Sequence, residues 1–307
     1  MLNKKGRKAI SKDKIRTYLF CAVVLAWPIL QFLVFWCYTN VQSIMLAFER
    51  VDSDLGVSFN GLNNFKTVFS DFFSPTDRTL RTAFFNSFTR YILVNLVTYP
   101  LPIIFGFIIF KKMRFSGIAR YFVLLPSIIS SMLTCLVFEQ LVHSLPALFA
   151  GQGISFPDMM VDPEYSYSLM VFYAIWTGCT SCAIMYPNLF NSVNVELHEA
   201  AQIDGCSQLR ELFHIYIPCV WPTITTFVVT GFSTILSSAG VLFAFWGESA
   251  PYETATYGYV VFVKSKFGGP AQYGYTAALS LLGVIVVYPL TLLIKYLMEK
   301  GDKINAD

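Results

Sequence analysis

Long apolar runs separated by short polar stretches dominate the chain. Six of them reach the roughly 20 residues a helix needs to cross a hydrocarbon layer. They fall at about 17–39, 85–110, 118–142, 166–190, 220–246 and 275–298, and each predicts a transmembrane helix. From Tyr91 to Phe110 there is no charged residue. Pro100, Pro102, Pro126 and Pro187 fall inside the runs, where proline kinks a helix and frees backbone carbonyls for neighbouring protein to satisfy. Such breaks suit a transport pathway, and proline is also common in membrane helices generally. The first run is longer than the ~7–15 residues of a cleavable signal's apolar region, with no small-x-small site after it, so it is expected to stay as an anchor.

Composition sharpens this picture. Of 307 residues, 55% are hydrophobic, 17% aromatic and 13% charged, with a mean hydropathy of +0.55. A soluble domain carries about 25% charged residues. A water-soluble enzyme is therefore excluded, and an all-α polytopic membrane protein is expected. The net charge of +3 is too small to imply a nucleic-acid partner, and no RNA- or DNA-binding signature occurs.

The placement of the charges predicts orientation. Lys4, Lys5, Arg7, Lys8, Lys12, Lys14 and Arg16 precede the first run, and excess Lys and Arg marks the cytoplasmic side. With both termini inside, 15 of the 22 basic residues are cytoplasmic and 7 are outside. The expected organisation is a basic segment 1–16, a first span with an extracytoplasmic segment 17–84, a core of five spans 85–298, and a tail 299–307. One cytoplasmic connection, 191–219, departs from the basic pattern: it holds Arg210 among Glu196, Glu199, Asp204 and Glu211. Connections this long are usually functional or disordered. Here Ser192 is a candidate N-cap for a helix to about Asp204, Gly205 supplies a turn, and Leu209, Leu212, Phe213 and Ile217 form the apolar stripe of a second helix. That hairpin lies on the membrane or its own bundle, or docks into a groove on another protein.

Glu199-Ala200-Ala201, three residues, Gly205, nine residues, then Ile215-Tyr216-Ile217-Pro218 resembles the Glu-Ala-Ala-x3-Gly-x9-Ile-x-Leu-Pro signature of ABC importer permeases. Ile217 stands for the usual Leu and Cys206 for a usual Ala, while Asp204 fits the frequent Asp-Gly. Shorter similarities point to the carbohydrate importers: Gly61-Leu62-Asn63-Asn64-Phe65, Leu125-Pro126, Tyr252-Glu253-Thr254-Ala255, and Gly274-Tyr275-Thr276-Ala277-Ala278-Leu279-Ser280. Val193-Asn194 stands where many relatives have Ile-Pro.

The resemblance implies the type I importer permease fold, with a cytoplasmic coupling helix, in a bacterial inner membrane. It implies a second homologous permease subunit, two ATPase subunits that bind ATP and Mg, and an extracytoplasmic solute-binding protein that delivers a sugar or oligosaccharide. No Walker-type phosphate loop occurs, so the chain itself is expected to be non-catalytic and without a cofactor. Glu199, Ala200, Ala201, Asp204, Gly205, Ile215 and Pro218 are the implied ATPase-coupling residues.

A substrate route is read from two stripes at helical spacing: Thr226, Thr230, Ser233 and Ser237 in the fifth span, and Tyr173, Trp176 and Thr180 in the fourth. Hydroxyls and an aromatic plate suit a sugar, and small hydroxyl faces equally suit helix packing. Cys179-x-x-Cys182 has metal or redox spacing but no His beside it, and is taken as apolar filler. His198 and His214 read as surface residues, and no metal site or nucleophile–base set is found. The competing function is an ion-gradient-driven transporter or channel; such proteins usually carry repeats and mid-membrane ionisable groups, and neither is evident.

Overall fold

The computed structural model describes residues 12–306 except 53, 55, 115, 152, 154 and 182–184. Lys4, Lys5, Arg7, Lys8 and Cys182 therefore lie outside the described residues. Among the described residues, six helices are long and apolar enough to cross a membrane: Arg16–Leu46, Thr79–Phe110, Ser131–Ala150, Pro163–Asn191, Gln208–Ser233 and Pro270–Gly301.

The first span joins α1 (Lys12–Gln31), a π-helical stretch Phe32–Cys37 and α2 (Tyr38–Leu46). None of its most apolar window is buried against the rest of the chain. A short antiparallel hairpin follows, β1 (Glu49–Val51) against β2 (Val57–Phe59), with Arg50 opposite Ser58. Then comes α3 (Asn63–Phe72). Asn64, from the stretch 61–65 singled out in the sequence, donates to the carbonyls of Ala47 at 2.9 Å and Glu49 at 2.7 Å. It thus clips the entry of the hairpin to α3. Tyr275 fixes α3 to the last helix by donating to Asp71 Oδ2 at 2.8 Å.

The second span is α4 (Thr79–Thr98) and α5 (Pro100–Phe110), joined through Tyr99. Pro100 at the first position of α5 has no amide to lose, so the helix restarts with little distortion. Next, α6 (Ser116–Ile128) and α7 (Ser131–Ala150) are separate helices. The third run at 118–142 straddles this break and does not form one helix. Ser130 is extended, ψ 137°, without a side-chain cap, and a new helix starts where its carbonyl accepts from both the amide and the hydroxyl of Thr134.

The fourth span comprises α8 (Pro163–Ser181) and α9 (Met185–Asn191), followed by the short α10 (Val195–Ile203). The fifth runs from α11 (Gln208–Glu211) through a π-helical turn Leu212–Tyr216 into α12 (Ile217–Ser233). Pro218 offers no amide to the carbonyl of His214, and the chain widens into a π turn at that place. The fifth run at 220–246 is corrected at both ends. The helix begins twelve residues earlier, at Gln208, and stops at Ser233. There Ser233, Thr234 and Ser237 each turn a hydroxyl back onto the carbonyl three residues earlier, which competes with the helical ladder.

Two short helices, α13 (Gly240–Trp246) and α14 (Tyr257–Phe267), precede α15 (Tyr273–Ala306). Asn86 on α4 holds their connection by donating to the carbonyls of Glu253 and Ala255 at 2.6 and 3.2 Å. A large core gathers Phe138, Tyr173, Phe245, Tyr257 and Leu279. A second core gathers Ile103, Phe107, Tyr186, Phe190, Leu212 and Tyr216 beneath the hairpin that carries α10.

A candidate coupling hairpin and substrate route

The hairpin 191–219 forms from strong local signals. Asn194, not Ser192, is the N-cap of α10: its side chain accepts the Glu196 amide at 3.1 Å, while Ser192 donates to the carbonyl of Leu189 at 2.6 Å. Asn at this position satisfies an amide the helix cannot. At the other end Gly205 has φ +70°, its amide reaches Gln202 O at 3.1 Å, and the Cys206 amide reaches Ala201 O at 2.9 Å. These two bonds are a Schellman closure with glycine in the left-handed position. Ser207 then caps α11 by accepting the Arg210 amide.

Burial divides the signature residues. Ala201 is buried, Ile215 and Pro218 are half-buried, and Glu199, Ala200, Asp204 and Gly205 are exposed. Around them Val195, Leu197, Ile203, Leu209 and Phe213 are bare, Ile203 at 86%. The stripe expected on the second helix is therefore split. Leu212 faces the core, Ile217 packs at its edge, and Leu209 and Phe213 face outward.

Underneath sits a polar cluster that the sequence did not single out. Lys111, the residue that ends α5, places Nζ 2.7 Å from Glu211 Oε1 and 3.1 Å from His198 Nδ1. His198 Nδ1 also bonds Glu211 Oε1, and its Nε2 is 3.0 Å from Gln202 Nε2. Glu211 is 4% exposed. The ammonium also lies 5.4 Å from the ring centre of Tyr216 and under 6 Å from those of Phe107 and Phe110. His198 is thus a half-buried bridge rather than a surface residue; His214 is exposed, as expected. Lys111 and Glu211 lie 100 residues apart, and only their opposite charge hinted at a pair.

The two candidate substrate stripes meet different fates. Thr226, Thr230, Ser233 and Ser237 are all exposed, but Ser237 lies beyond the helix end, so the four do not share one helical face. Thr226 and Thr230 line a groove of about 560 Å³ with Thr225, Lys295 and Glu299. Ser233 and Ser237 line another of about 330 Å³ with Tyr257 and Ser265. Tyr173 is 3% exposed and buried among Phe138, Trp176 and Phe245. Trp176 and Thr180 line an apolar groove of about 550 Å³ between α5, α6 and α8. Among the described residues the two stripes line separate grooves.

Residues 84–302 match the sequence profile described as "binding-protein-dependent transport system inner membrane component". The arabinooligosaccharides transport system permease protein AraP of Halalkalibacterium halodurans is 26% identical over 92% of this chain and 89% of its own length. The multiple sugar-binding transport system permease protein MsmF of Streptococcus mutans is 23% identical over 92% of this chain and 93% of its own. The fold is shared with a bacterial ABC transporter involved in the import of the acidic polysaccharide alginate, at a TM-score of 0.75 and 22% identity. That match covers 94% of this chain and 98% of the other.

Proposed function

This chain belongs to the binding-protein-dependent transport system inner membrane components, and we propose that it is one of two permease subunits of an ATP-driven sugar or oligosaccharide importer. The observation that carries the reading is the hairpin at α10. It presents Glu199 and a bare apolar face while its other side is bonded to the ends of the second and fifth spans. A separate ATPase, loaded with ATP and Mg, covers that face. Ala200 allows close approach, Asp204 and Gly205 close the helix so that Glu199 can make a charge-assisted hydrogen bond, and Ile215 and Pro218 lead into the span. ATP binding draws the two ATPases together, moves the hairpins, and shifts the spans between inward- and outward-facing states of similar energy.

The carbohydrate class is supported by the relatives' named cargoes, arabinooligosaccharides and multiple sugars. A solute-binding protein delivers the sugar from outside, and the excess of basic residues supports a cytoplasmic side for both termini. The first span is bare against its own chain; lipid and the second permease cover it. The exposed hydroxyls of Thr226, Thr230, Ser233 and Ser237, with Trp176 and Thr180, face a route completed by that second subunit, whereas Tyr173 supports the route from within the core.

The test is uptake into proteoliposomes. The assembled complex should import sugar only with ATP and binding protein present, and Glu199→Lys should release the ATPase and stop import. Transport by this chain alone without ATP would refute the reading.

A further inference from the structure

We propose that the buried Lys111–His198–Glu211 cluster is the joint through which displacement of α10 moves the second and fifth spans together. The proposal rests on α10 being the ATPase-docking helix, and it assigns the coupling to three positioning residues outside the docking signature.

Little else grips α10 from the bundle side. Its buried residue is Ala201, a single methyl group. Among the described residues, every side-chain hydrogen bond that leaves α10 for another part of the chain runs through His198, to Lys111 and to Glu211. Those two partners sit at the cytoplasmic ends of different spans: Lys111 ends α5, and Glu211 lies in the first turn of the fifth span. Each charge is on the favourable end of its helix, a cation at a C-terminus and a carboxylate at an N-terminus. Lys111 is further held over the rings of Phe107, Phe110 and Tyr216, so its ammonium has little room to follow α10 alone.

Charge-assisted hydrogen bonds are short and directional. Glu211 and Lys111, with side chains only 5% and 13% exposed, have little water with which to replace a lost partner. A shift of α10 by more than a bond's tolerance must therefore carry Lys111 and Glu211 with it or break the His198 bonds to both where little water can replace them. Apolar contacts, by comparison, are non-directional and allow sliding.

The measurement is sugar imported per ATP hydrolysed, by the full importer in proteoliposomes, for wild type, Glu211→Gln, Lys111→Arg and the double variant Lys111→Met/Glu211→Gln. Glu211→Gln should keep its ATPase bound and hydrolysing while the ratio falls about tenfold. Lys111→Arg, which keeps the cation over the rings, should stay within about twofold of wild type. The double variant leaves neither charge stranded, so it should assemble and melt like wild type; a purely structural cluster would then recover its transport ratio, whereas a joint would not. A wild-type ratio in Glu211→Gln or in the double variant overturns the proposal. So does a complex in which Lys111→Arg uncouples as fully as Glu211→Gln. Glu199→Lys in parallel separates the two ideas: if it keeps its ATPase, the docking assignment fails; if it loses the ATPase while Glu211→Gln stays fully coupled, only the joint fails.

Discussion

Gly205 allows the local chemistry of the hairpin to be tested residue by residue. Its φ of +70° lies where an L side chain is strained by roughly 1–2 kcal/mol. Replacing glycine by alanine recovers about 0.4–1 kcal/mol by restricting the unfolded chain. The net cost of Gly205→Ala is thus about 1 kcal/mol, close to a fivefold rise in the open form of the turn. No atom lies within 4 Å of the position a Cβ would take, so side-chain crowding inside this chain adds nothing. Asn tolerates the left-handed region better than Ala, and a β-branched residue tolerates it least. The order Gly, Asn, Ala, Val is therefore expected both for sugar uptake and for slow hydrogen exchange at the Cys206 amide, which is bonded to Ala201 O. An ATPase pressed against the glycine would instead rank the variants by size, with Ala above Asn. Finding Ala above Asn in uptake, with exchange unchanged, would refute the backbone explanation and assign the glycine to close approach of the partner.

Three further outcomes follow from packing and hydrogen bonding. A Cβ on Gly106 would meet Tyr186 Cβ at 2.5 Å, so Gly106→Val should cost about 1–3 kcal/mol by overpacking α5 against α9; an unchanged melting temperature in detergent would contradict that contact. Asn64→Ala removes the donor to two carbonyls and should cost about 1–3 kcal/mol, with protease sensitivity rising first in the hairpin 49–59, and uniform sensitivity would count against the clip. Tyr173→Ala should destabilise by about 3–5 kcal/mol, as buried aromatic truncations do, whereas Trp176→Ala, at a residue 39% exposed, should cost less stability and be felt in uptake; equal losses of stability would undo the division between core and groove.

The sequence carried those features that depend on short-range signals. Apolar run length located six spans, and the Gly205 turn is a local φ requirement with a local signature. Errors arose where side chains compete with the backbone. The run through Ser233 is apolar enough to continue, yet Ser233, Thr234 and Ser237 fold their hydroxyls onto it and end the helix. The third run is divided instead by the backbone at Ser130, which is extended at ψ 137°. Asn194 outranked Ser192 as the cap because both side chains were eligible and only the path of the chain after Phe190 decides between them. The Lys111–His198–Glu211 cluster was hidden for another reason. Its members are 87 and 13 residues apart in sequence, and a lysine at a span end already has a sufficient explanation as an orientation signal.

Exposed apolar side chains also differ in meaning by place, and this bears on which surfaces must be covered by protein. The bare side chains of the first span, such as Phe20, Trp27 and Phe35, belong to a segment long enough to cross the bilayer, so lipid alone can satisfy them. Val195, Leu197 and Ile203 belong to a nine-residue helix that cannot cross, preceded by Asn194 and followed by Asp204 and Gly205. Water meets that helix unless a partner covers it, and each square ångström of apolar surface left there costs about 25 cal/mol. A lipid-facing role would instead call for basic residues on the polar side of the helix, to meet anionic headgroups. The helix offers Glu196 and Glu199 and no Lys or Arg, which disfavours the membrane surface and favours a protein groove able to receive a carboxylate. The bare apolar residues of α10 therefore call for a protein partner, which those of a helix long enough to cross the bilayer do not.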